Sequence, residues 1–425
     1  MKKIIVCCDG TWDRPNQSTD GHACPSNVEK LYRALAPVDQ AGVKQLAFYV
    51  EGVGVGTWDR FSGGAFGVGL AHNVRTAYKD IAENYEPGDE IFLVGFSRGA
   101  FTARSTAGFI RDCGLLRPEN MKMLDEAYGF YRDRSDDTNP RSEAAQNFRA
   151  KYAIEAEPHI RCIAVWDTVG ALGIPLNGLR WVNVLNRPWQ FHDTKLSTKV
   201  DFAFQALAID EKRNSFEPTL WQQQEDADGQ HLEQVWFAGT HADVGGGNED
   251  ASLADVPLMW IVERLESLCG VAFKPDGFPS KPPAQYLTRP NPLAQLTESR
   301  TGFWRLLPPY LRPLRGGDHE WIASTAKRRY ERDDNYSPAN LIPHIDDPNA
   351  FVQIGPFHSG TTTTVTAPVT QLPFDPAQVD KELSGPITDQ GKVEASGDGD
   401  APLVPPSTDA DETEPEADDG TPRQK

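Results

Sequence analysis

The sequence predicts an α/β fold in which helices cover both faces of a mostly parallel β-sheet. Short apolar runs alternate with segments of helical periodicity from Lys2 to Leu268, which is the pattern of a parallel sheet. A second observation is that Ser97, Asp167, Asp210 and His241 each come just after a strand-like run. Because ligands bind beyond the carboxyl ends of parallel strands, these side chains are candidates for one site.

The predicted elements follow from local patterns. The strand-like runs are Lys2–Cys8, Gln45–Val50, Asp89–Val94, His159–Trp166, Val200–Ile209 and Leu232–Ala238. The helical patterns are Val28–Leu35, Leu70–Tyr85, Ala100–Cys113, Met121–Arg134, Ser142–Tyr152 and Ala254–Leu268. Ser26 and Glu29 have capping-box spacing at the start of the first helix. Glu51–Gly69 is rich in glycine and is predicted to be a loop, either a mobile lid or a packing loop.

Composition separates a folded body from a tail. The 425 residues carry a net charge of −19, which disfavours nucleic-acid binding. Residues 376–425 hold 13 Asp and Glu against 4 Lys and Arg, so about half of that charge lies in the last eighth of the chain. Large apolar residues almost vanish there, and such a segment cannot offset its ordering entropy. We expect a catalytic domain with insertions over 1–366 and a disordered acidic tail over 367–425.

The cysteines and the N-terminal residues predict the cellular compartment of the protein. The six cysteines have no CxxC or zinc spacing and are expected to be free, mostly buried thiols of a reducing compartment. The apolar run after Met1 is too short for a signal peptide, and no run reaches transmembrane length. We expect a cytoplasmic protein, or one exported without a Sec signal.

The segment Ile91–Arg104 predicts a nucleophile elbow. Gly95-Phe96-Ser97-Arg98-Gly99 follows an apolar run and precedes a helical pattern, as a G-x-S-x-G turn between strand and helix requires. The two glycines allow strand and helix to approach closely. Ser97 is therefore the candidate nucleophile of an α/β-hydrolase-like site.

A serine nucleophile needs a histidine base and a carboxylate behind it. His241 is the preferred base because it follows a strand and opens a glycine-rich turn, and His319 is the alternative. Asp167 and Asp210 each follow a strand beyond the elbow, and the pattern does not choose between them as the acid. Asp243 is close to His241 in sequence and is a candidate supporting carboxylate.

The oxyanion of an acyl-transfer step needs backbone N–H donors. Arg98 follows the nucleophile, and Gly10 and Thr11 follow the first strand, so these residues are the expected donors. Asp9 is predicted to orient that loop, or to bind a cation with Asp243. No motif for a metal, phosphate-binding loop or dinucleotide is present, and we expect no cofactor.

Two segments combine aromatic and basic residues. They are Leu179–Lys195 and Arg300–Arg315. This mixture is typical of a surface that contacts a membrane transiently, with rings in the lipid and cations near phosphates. The alternative is that each is an ordinary insertion packed on the body.

Read together, the motifs CCDGTW, EGVGVGT, GFSRGAFTAR, VWDTVGALG and GTHADVGGG resemble one family. It is an α/β-hydrolase family, long uncharacterised and now described as the type VI secretion system phospholipase effector family-one-like catalytic domain. The resemblance covers about Lys2–Pro343. It implies Ser97 as nucleophile, Asp167 as acid and His241 as base, and so favours Asp167 over Asp210.

The resemblance also implies a substrate and binding partners. The expected substrate is a lipid or small ester, most readily a phospholipid, cleaved through an acyl-enzyme. A secretion-machinery or immunity partner is a further expectation. The acidic tail has no match in the family. The alternative function is a non-catalytic interaction protein that retains the fold and uses its tail to recruit basic partners.

Overall fold

An eight-stranded, wholly parallel β-sheet forms the centre of the computed structural model. The structure describes residues 1–10, 18–19, 22–52, 63–133, 140–170, 195–281, 286–317 and 319–355. The strands are β1 Lys3–Cys8, β2 Ser18–Thr19, β3 His22–Ala23, β4 Gln45–Val50, β5 Glu90–Phe96, β6 Leu115–Leu116, β7 Ala153–Glu155, β8 Ile160–Trp166, β9 Val200–Ala208, β10 His231–Phe237, β11 Glu320–Ala323 and β12 Phe351–Val352. The order across the sheet is β12-β11-β10-β9-β8-β5-β1-β4, and β2–β3 and β6–β7 form small antiparallel pairs.

Helices connect the strands. The α-helices are Asn27–Ala34, Gly63–Asn84, Ser97–Cys113, Leu124–Arg132, Glu143–Tyr152, His241–Gly245, Asp255–Ser267 and Ser324–Arg332. Short 3-10 helices span Pro118–Met123, Asn214–Phe216, Gly302–Leu306, Ile342–His344 and Pro348–Ala350. The predicted cap of the first helix is present, because the Ser26 hydroxyl accepts a hydrogen bond from the Glu29 amide at 3.0 Å.

Both faces of the sheet are buried. Side chains of β1 alternate between two apolar clusters, with Ile4 and Val6 in one and Ile5 and Cys7 in the other. The helices packed in the first cluster are Gly63–Asn84 and Ser97–Cys113, and those in the second are Asn27–Ala34 and Asp255–Ser267. The predicted parallel sheet with helices on both faces is confirmed.

The strand order places a switch point next to β5. From β1 the chain moves to β4 on one side, returns to β5 on the other side of β1, and then continues outward through β8, β9 and β10. In open parallel sheets, ligands bind where the order reverses, at the carboxyl ends of the strands. The candidate serine follows β5 and therefore lies at this switch point.

The structure also corrects the predicted elements. Gly63–Gly69 belongs to a helix and not to a loop, because packing of the same helix from Leu70 onward outweighs the low helix propensity of glycine. The strands β11 and β12 of the main sheet, the small pairs β2–β3 and β6–β7, and the helices His241–Gly245 and Ser324–Arg332 were not predicted. Strands β11 and β12 have four and two residues, too few for an alternating pattern to stand out.

The structure also bears on the predictions about the cysteines, membrane-spanning helices and the tail. All six cysteines are buried and free of disulfides, as predicted. The described helices include none long and apolar enough to cross a membrane. The described residues fall within one compact unit, Met1–Pro368. The predicted tail, 367–425, and nearly all of Leu179–Lys195 lie outside the described residues.

Candidate active site

The sharp turn after β5 has the geometry of a nucleophile elbow. β5 ends at Phe96, and Ser97 begins the next helix with a φ of 57°, in the left-handed region that a non-glycine residue rarely adopts. Such strain persists where the surrounding structure enforces it. A Cβ on Gly95 would lie 2.5 Å from the Gly99 carbonyl oxygen, and one on Gly99 would lie 2.1 Å from that of Cys8. Both positions therefore require glycine.

Replacing Gly99 by alanine should destabilise the fold. The added Cβ meets backbone atoms of β1, which cannot rotate away, so we expect a loss of about 3 kcal/mol in the free energy of unfolding. Urea unfolding of the variant measures this loss. The matched control is Gly129→Ala, an exposed helical position with nothing within 4 Å of the added Cβ, which should gain up to about 1 kcal/mol. Equal stability of the two variants would contradict the packing described for the elbow.

Three predicted side chains meet in one hydrogen-bonded arrangement, the candidate triad. The Ser97 hydroxyl lies 2.8 Å from Nε2 of His241, and Nδ1 of the same ring lies 2.6 Å from an oxygen of Asp167. All three side chains follow strands, namely β5, β8 and β10. The chain order serine, acid, histidine is that of α/β hydrolases.

Asp167 is held as a carboxylate by a residue far away in sequence. Both nitrogens of the Arg312 fork donate to its two oxygens, at 2.7 and 3.0 Å, and the Ala208 amide donates at 3.0 Å. Both side chains are fully buried. Burial raises the pKa of the Asp167 carboxyl, but the Arg312 charge and the His241 contact outweigh burial and hold this pKa well below its usual range. The acid is therefore ionised at neutral pH.

His241 lies between two aromatic rings and is itself buried. The ring centroids of Phe96 and Phe216 lie 4.7 and 4.9 Å from that of His241. Burial lowers the pKa of His241, although Asp167 and Glu211 oppose the shift. Because the carboxylate accepts from Nδ1, Nε2 of the neutral ring is left to accept the Ser97 proton. The ring has the tautomer and the charge of a general base.

The lowered pKa of His241 predicts the pH dependence of any reaction that uses it as a base. The free enzyme is active when this ring is neutral, so activity falls as pH drops through its pKa. With a pKa below the ordinary value of 6.5, we expect the acid limb of kcat/KM to have its midpoint below pH 6.5. A profile on a soluble ester, corrected for buffer hydrolysis, measures it. A midpoint above 6.5 would mean that the Asp167 contact outweighs burial.

The turn after β10 sets the position of His241. Thr240 caps the short helix His241–Gly245, and Asp243 completes a capping box by accepting from the Thr240 amide at 3.0 Å. A Cβ on Gly245 would lie 1.9 Å from the Phe96 ring, so only glycine fits against the residue before the nucleophile. The sequence GTHADVGGG thus encodes a tight turn that packs onto the elbow.

The expected oxyanion donors lie on two neighbouring strand ends. Arg98 is in the first turn of its helix, where backbone N–H groups have no acceptor within the helix. The Gly10 amide donates to its neighbour Asp9 at 2.7 Å, so it must leave that carboxylate before it can serve an oxyanion. Thr11 lies outside the described residues.

Asp9 holds the start of the loop after β1, because its carboxylate accepts from the Gly10 amide, and the rest of that loop up to residue 17 lies outside the described residues. Its carboxylate also accepts from Ser26, at 2.7 Å, and from the Tyr49 hydroxyl. Burial raises its pKa to about 6, against the lowering effect of these bonds. Among the described residues no cluster of three or more His, Cys, Asp or Glu side chains could hold a metal ion, which leaves the alternative cation role of Asp9 without support.

The family of the chain follows from its sequence. A model of the type VI secretion system phospholipase effector, Tle1-like, catalytic domain matches residues 2–264. The chain belongs to this family. The matched range of this Tle1-like domain contains Ser97, Asp167 and His241, whereas Arg312 lies beyond it.

Individual relatives are distant and longer. An uncharacterised protein of Saccharomyces cerevisiae, YEL023C, is 28% identical over 235 residues, which cover 51% of this chain and 32% of that protein. The structure of the Tle1 effector bound to the VgrG spike is similar with 18% identity and a TM-score of 0.34, over 58% of this chain and 51% of that one. An uncharacterised protein from Pseudomonas aeruginosa has 14% identity and a TM-score of 0.37, over 65% and 47%. The chain thus spans about a third to a half of the proteins it matches.

The alternative acid and base of this Tle1-like domain lie elsewhere. Asp210 accepts from the Gly239 amide at 2.7 Å and the Tyr336 hydroxyl at 3.0 Å, and burial raises its pKa to about 6. It therefore supports the loop before His241 and does not contact the ring. His319 precedes β11, so it lies at the amino end of the sheet, opposite Ser97. The prediction of His319 as the alternative base was therefore wrong, since the histidine that lies at Ser97 is His241.

Asp243 has a supporting position. Besides capping its own helix it accepts from Thr297 and Asn248, at 2.5 and 3.0 Å, and so ties the His241 turn to a later loop. Its bonds fix the backbone from which the base projects.

Sequence reasoning missed two charged groups at the site. Arg312 lies in the aromatic and basic segment Arg300–Arg315 and is buried in the body of the protein. This agrees with the alternative that the segment is an ordinary insertion packed on the body. Glu211 is buried and accepts from the His241 amide at 3.3 Å and from the Arg213 side chain at 2.8 Å. The sequence pointed to Glu211 only through its position, directly after Asp210 at the end of a predicted strand.

Proposed function

We propose that this chain is a serine hydrolase that deacylates phospholipids. The observation that carries the proposal is the continuous set of hydrogen bonds from Ser97 through His241 to Asp167, at an elbow whose serine has a positive φ. Membership of a phospholipase effector family supports the lipid ester as substrate. A buried ion pair behind the acid supports a permanently charged carboxylate.

The first half of the reaction forms an acyl-enzyme. The Ser97 oxygen attacks the acyl carbon while Nε2 of His241 takes its proton, and Asp167 stabilises the imidazolium that results. The tetrahedral oxyanion faces the Arg98 amide and, after release from Asp9, the Gly10 amide. His241 then gives the proton to the leaving alcohol oxygen as the ester bond breaks.

The second half uses water in the same geometry. His241 takes a proton from the water that attacks the acyl-enzyme, and the Ser97 oxygen leaves with that proton. The products are a fatty acid and a lysophospholipid. No step requires a metal ion or an organic cofactor.

The family also suggests the setting of the reaction. Its members are described as type VI secretion effectors, so we propose that the secretion machinery delivers the chain and that an immunity partner blocks it in the producing cell. The enzyme then contacts the surface of a membrane transiently.

The reaction class is tested by the products released from phospholipid vesicles. Purified full-length protein should release fatty acid, measured by mass spectrometry, and leave the phosphate on the glycerol backbone. Release of a phosphorylated headgroup would contradict deacylation. A folded protein that hydrolyses neither vesicles nor a panel of soluble esters would favour the non-catalytic interaction protein instead.

A further inference from the structure

A cavity of about 260 Å³ lies between the residues that follow β9 and the segment 300–310, and no residue of the candidate triad lines it. Lys212, Arg213 and Arg300 line it together with apolar groups that include Trp304. Its volume is near the lower end of small-ligand sites. It accepts a compact polar group and excludes a pair of acyl chains.

One aromatic ring joins this cavity to the base. The Arg213 guanidinium stacks 3.6 Å above the Phe216 ring, whose centroid is 4.9 Å from that of His241. The Trp304 ring meets the same phenylalanine edge-on at 6.3 Å. Arg213, which lines the cavity, therefore contacts a ring that packs against His241.

Two of the three cations in the cavity form no side-chain ion pair in the described part of the chain. Arg213 is paired with Glu211. The Arg300 side chain donates to the carbonyl oxygens of Leu307 and Arg305, at 2.5 and 3.3 Å, and its backbone N–H donates to the Glu298 carboxylate at 2.8 Å. Lys212 is exposed, and its charge interacts with the buried Asp210 carboxyl without forming an ion pair in the described part of the chain. The Glu217 carboxylate nearby already accepts from Tyr310, at 3.0 Å.

The rest of the protein makes this positive site unusual. The residues before the acidic tail carry about half of the net charge of −19 and are mildly acidic as a whole, so a cluster of three cations is a local exception that attracts anions. The cavity wall also contains Leu307, Pro308 and Pro309. Leu306, next to this wall in sequence, is 80% exposed. The site suits an anion joined to an apolar body.

We propose that this cavity holds the phosphate of the phospholipid headgroup while the acyl ester lies at Ser97. The inference rests on the proposed function and specifies its substrate. Lys212 and Arg300 donate to the phosphate oxygens, and Arg213, fixed by Glu211 and Phe216, sets the distance between headgroup and base. A phosphate diester is thereby preferred over a neutral ester of the same acyl chains.

The test compares two substrates that have the same acyl chains and differ only in the phosphocholine headgroup. Phosphatidylcholine and diacylglycerol with identical acyl chains are presented in micelles of one neutral detergent, and kcat/KM is measured on each. Lys212→Gln should lower the ratio of phosphatidylcholine to diacylglycerol turnover about tenfold, since a charge-assisted hydrogen bond is lost. Arg300→Gln should act in the same direction, and the double variant more strongly.

Controls separate a local effect from one of net charge or folding. Lys44→Gln removes an equal charge at an exposed residue near the amino end of the sheet, and it should leave the ratio unchanged. Because Arg300 also bonds loop carbonyls, Lys212→Gln is the decisive variant. Melting temperatures verify that each variant is folded.

A second arm uses inorganic phosphate in place of the lipid. Phosphate should inhibit wild-type hydrolysis of phosphatidylcholine competitively, and Lys212→Gln should weaken that inhibition. If the variants lose phosphate inhibition but keep the wild-type substrate ratio, the cavity takes free phosphate and the headgroup assignment is overturned. An unchanged ratio together with unchanged inhibition also overturns it. Absence of wild-type turnover on both lipids contradicts the proposed function itself.

Discussion

Replacing Ser97 by alanine should abolish ester hydrolysis, with kcat falling on the order of 10⁶-fold. The Ser97 hydroxyl is the group of the candidate triad that attacks the acyl carbon. His241 accepts the proton of that hydroxyl and does not itself form the acyl bond. Steady-state kinetics on a soluble ester measure the loss. Ser267→Ala, at the exposed end of another helix, is the matched control and should keep wild-type rates.

A glycine at the same position separates chemistry from folding. Ser97 has a φ of 57°, a conformation that costs a non-glycine residue about 1–3 kcal/mol. Ser97→Gly should therefore be as inactive as Ser97→Ala but melt at a higher temperature than the wild type. Substantial activity in either variant would rule out Ser97 as the nucleophile.

Replacing Asp167 by asparagine should lower kcat about 10⁴-fold. Asparagine cannot stabilise an imidazolium and can present an N–H to Nδ1, which favours the wrong tautomer of His241. It also leaves Arg312 buried without its counter-charge, at a cost of about 3–5 kcal/mol in stability. Kinetics and urea unfolding of the same variant measure both effects.

A double variant distinguishes the two effects of Asp167→Asn. Asp167→Asn with Arg312→Met removes both charges, so stability should return towards the wild-type value while activity stays lost. Asp210→Asn is the matched control, because an amide oxygen can still accept from Gly239 and Tyr336, and its rate should stay within about tenfold of the wild type. If Asp210→Asn lost more activity than Asp167→Asn, the acid would be wrongly assigned.

The fold could be predicted from sequence because its main strands are long apolar runs bounded by helical periodicity. β1, β4, β8 and β10 lie within two residues of their predicted bounds. Parallel strands bring their carboxyl ends to one edge, so the positions of Ser97 and His241 already suggested that the two residues could meet. Strands β11 and β12 were too short to carry such a signal.

The side-chain contacts that distinguish Asp167 from Asp210 as the acid could not be predicted from the order of residues along the chain. Asp167 and Asp210 both follow strands, and only packing turns Asp210 towards Tyr336 and Asp167 towards His241. Arg312 is separated from Asp167 by 145 residues and follows no strand. Ion pairs across such a separation depend on tertiary packing, which a local pattern does not contain.

The central claim is that Ser97 is an activated nucleophile, and covalent labelling tests it most directly. The full-length protein is treated with a fluorophosphonate, which reacts with serines activated by a neighbouring base, and the adduct is mapped by mass spectrometry. We expect one adduct, on Ser97, that is absent from Ser97→Ala and strongly reduced in Asp167→Asn. An unlabelled folded protein, or an adduct on a different serine, would contradict it.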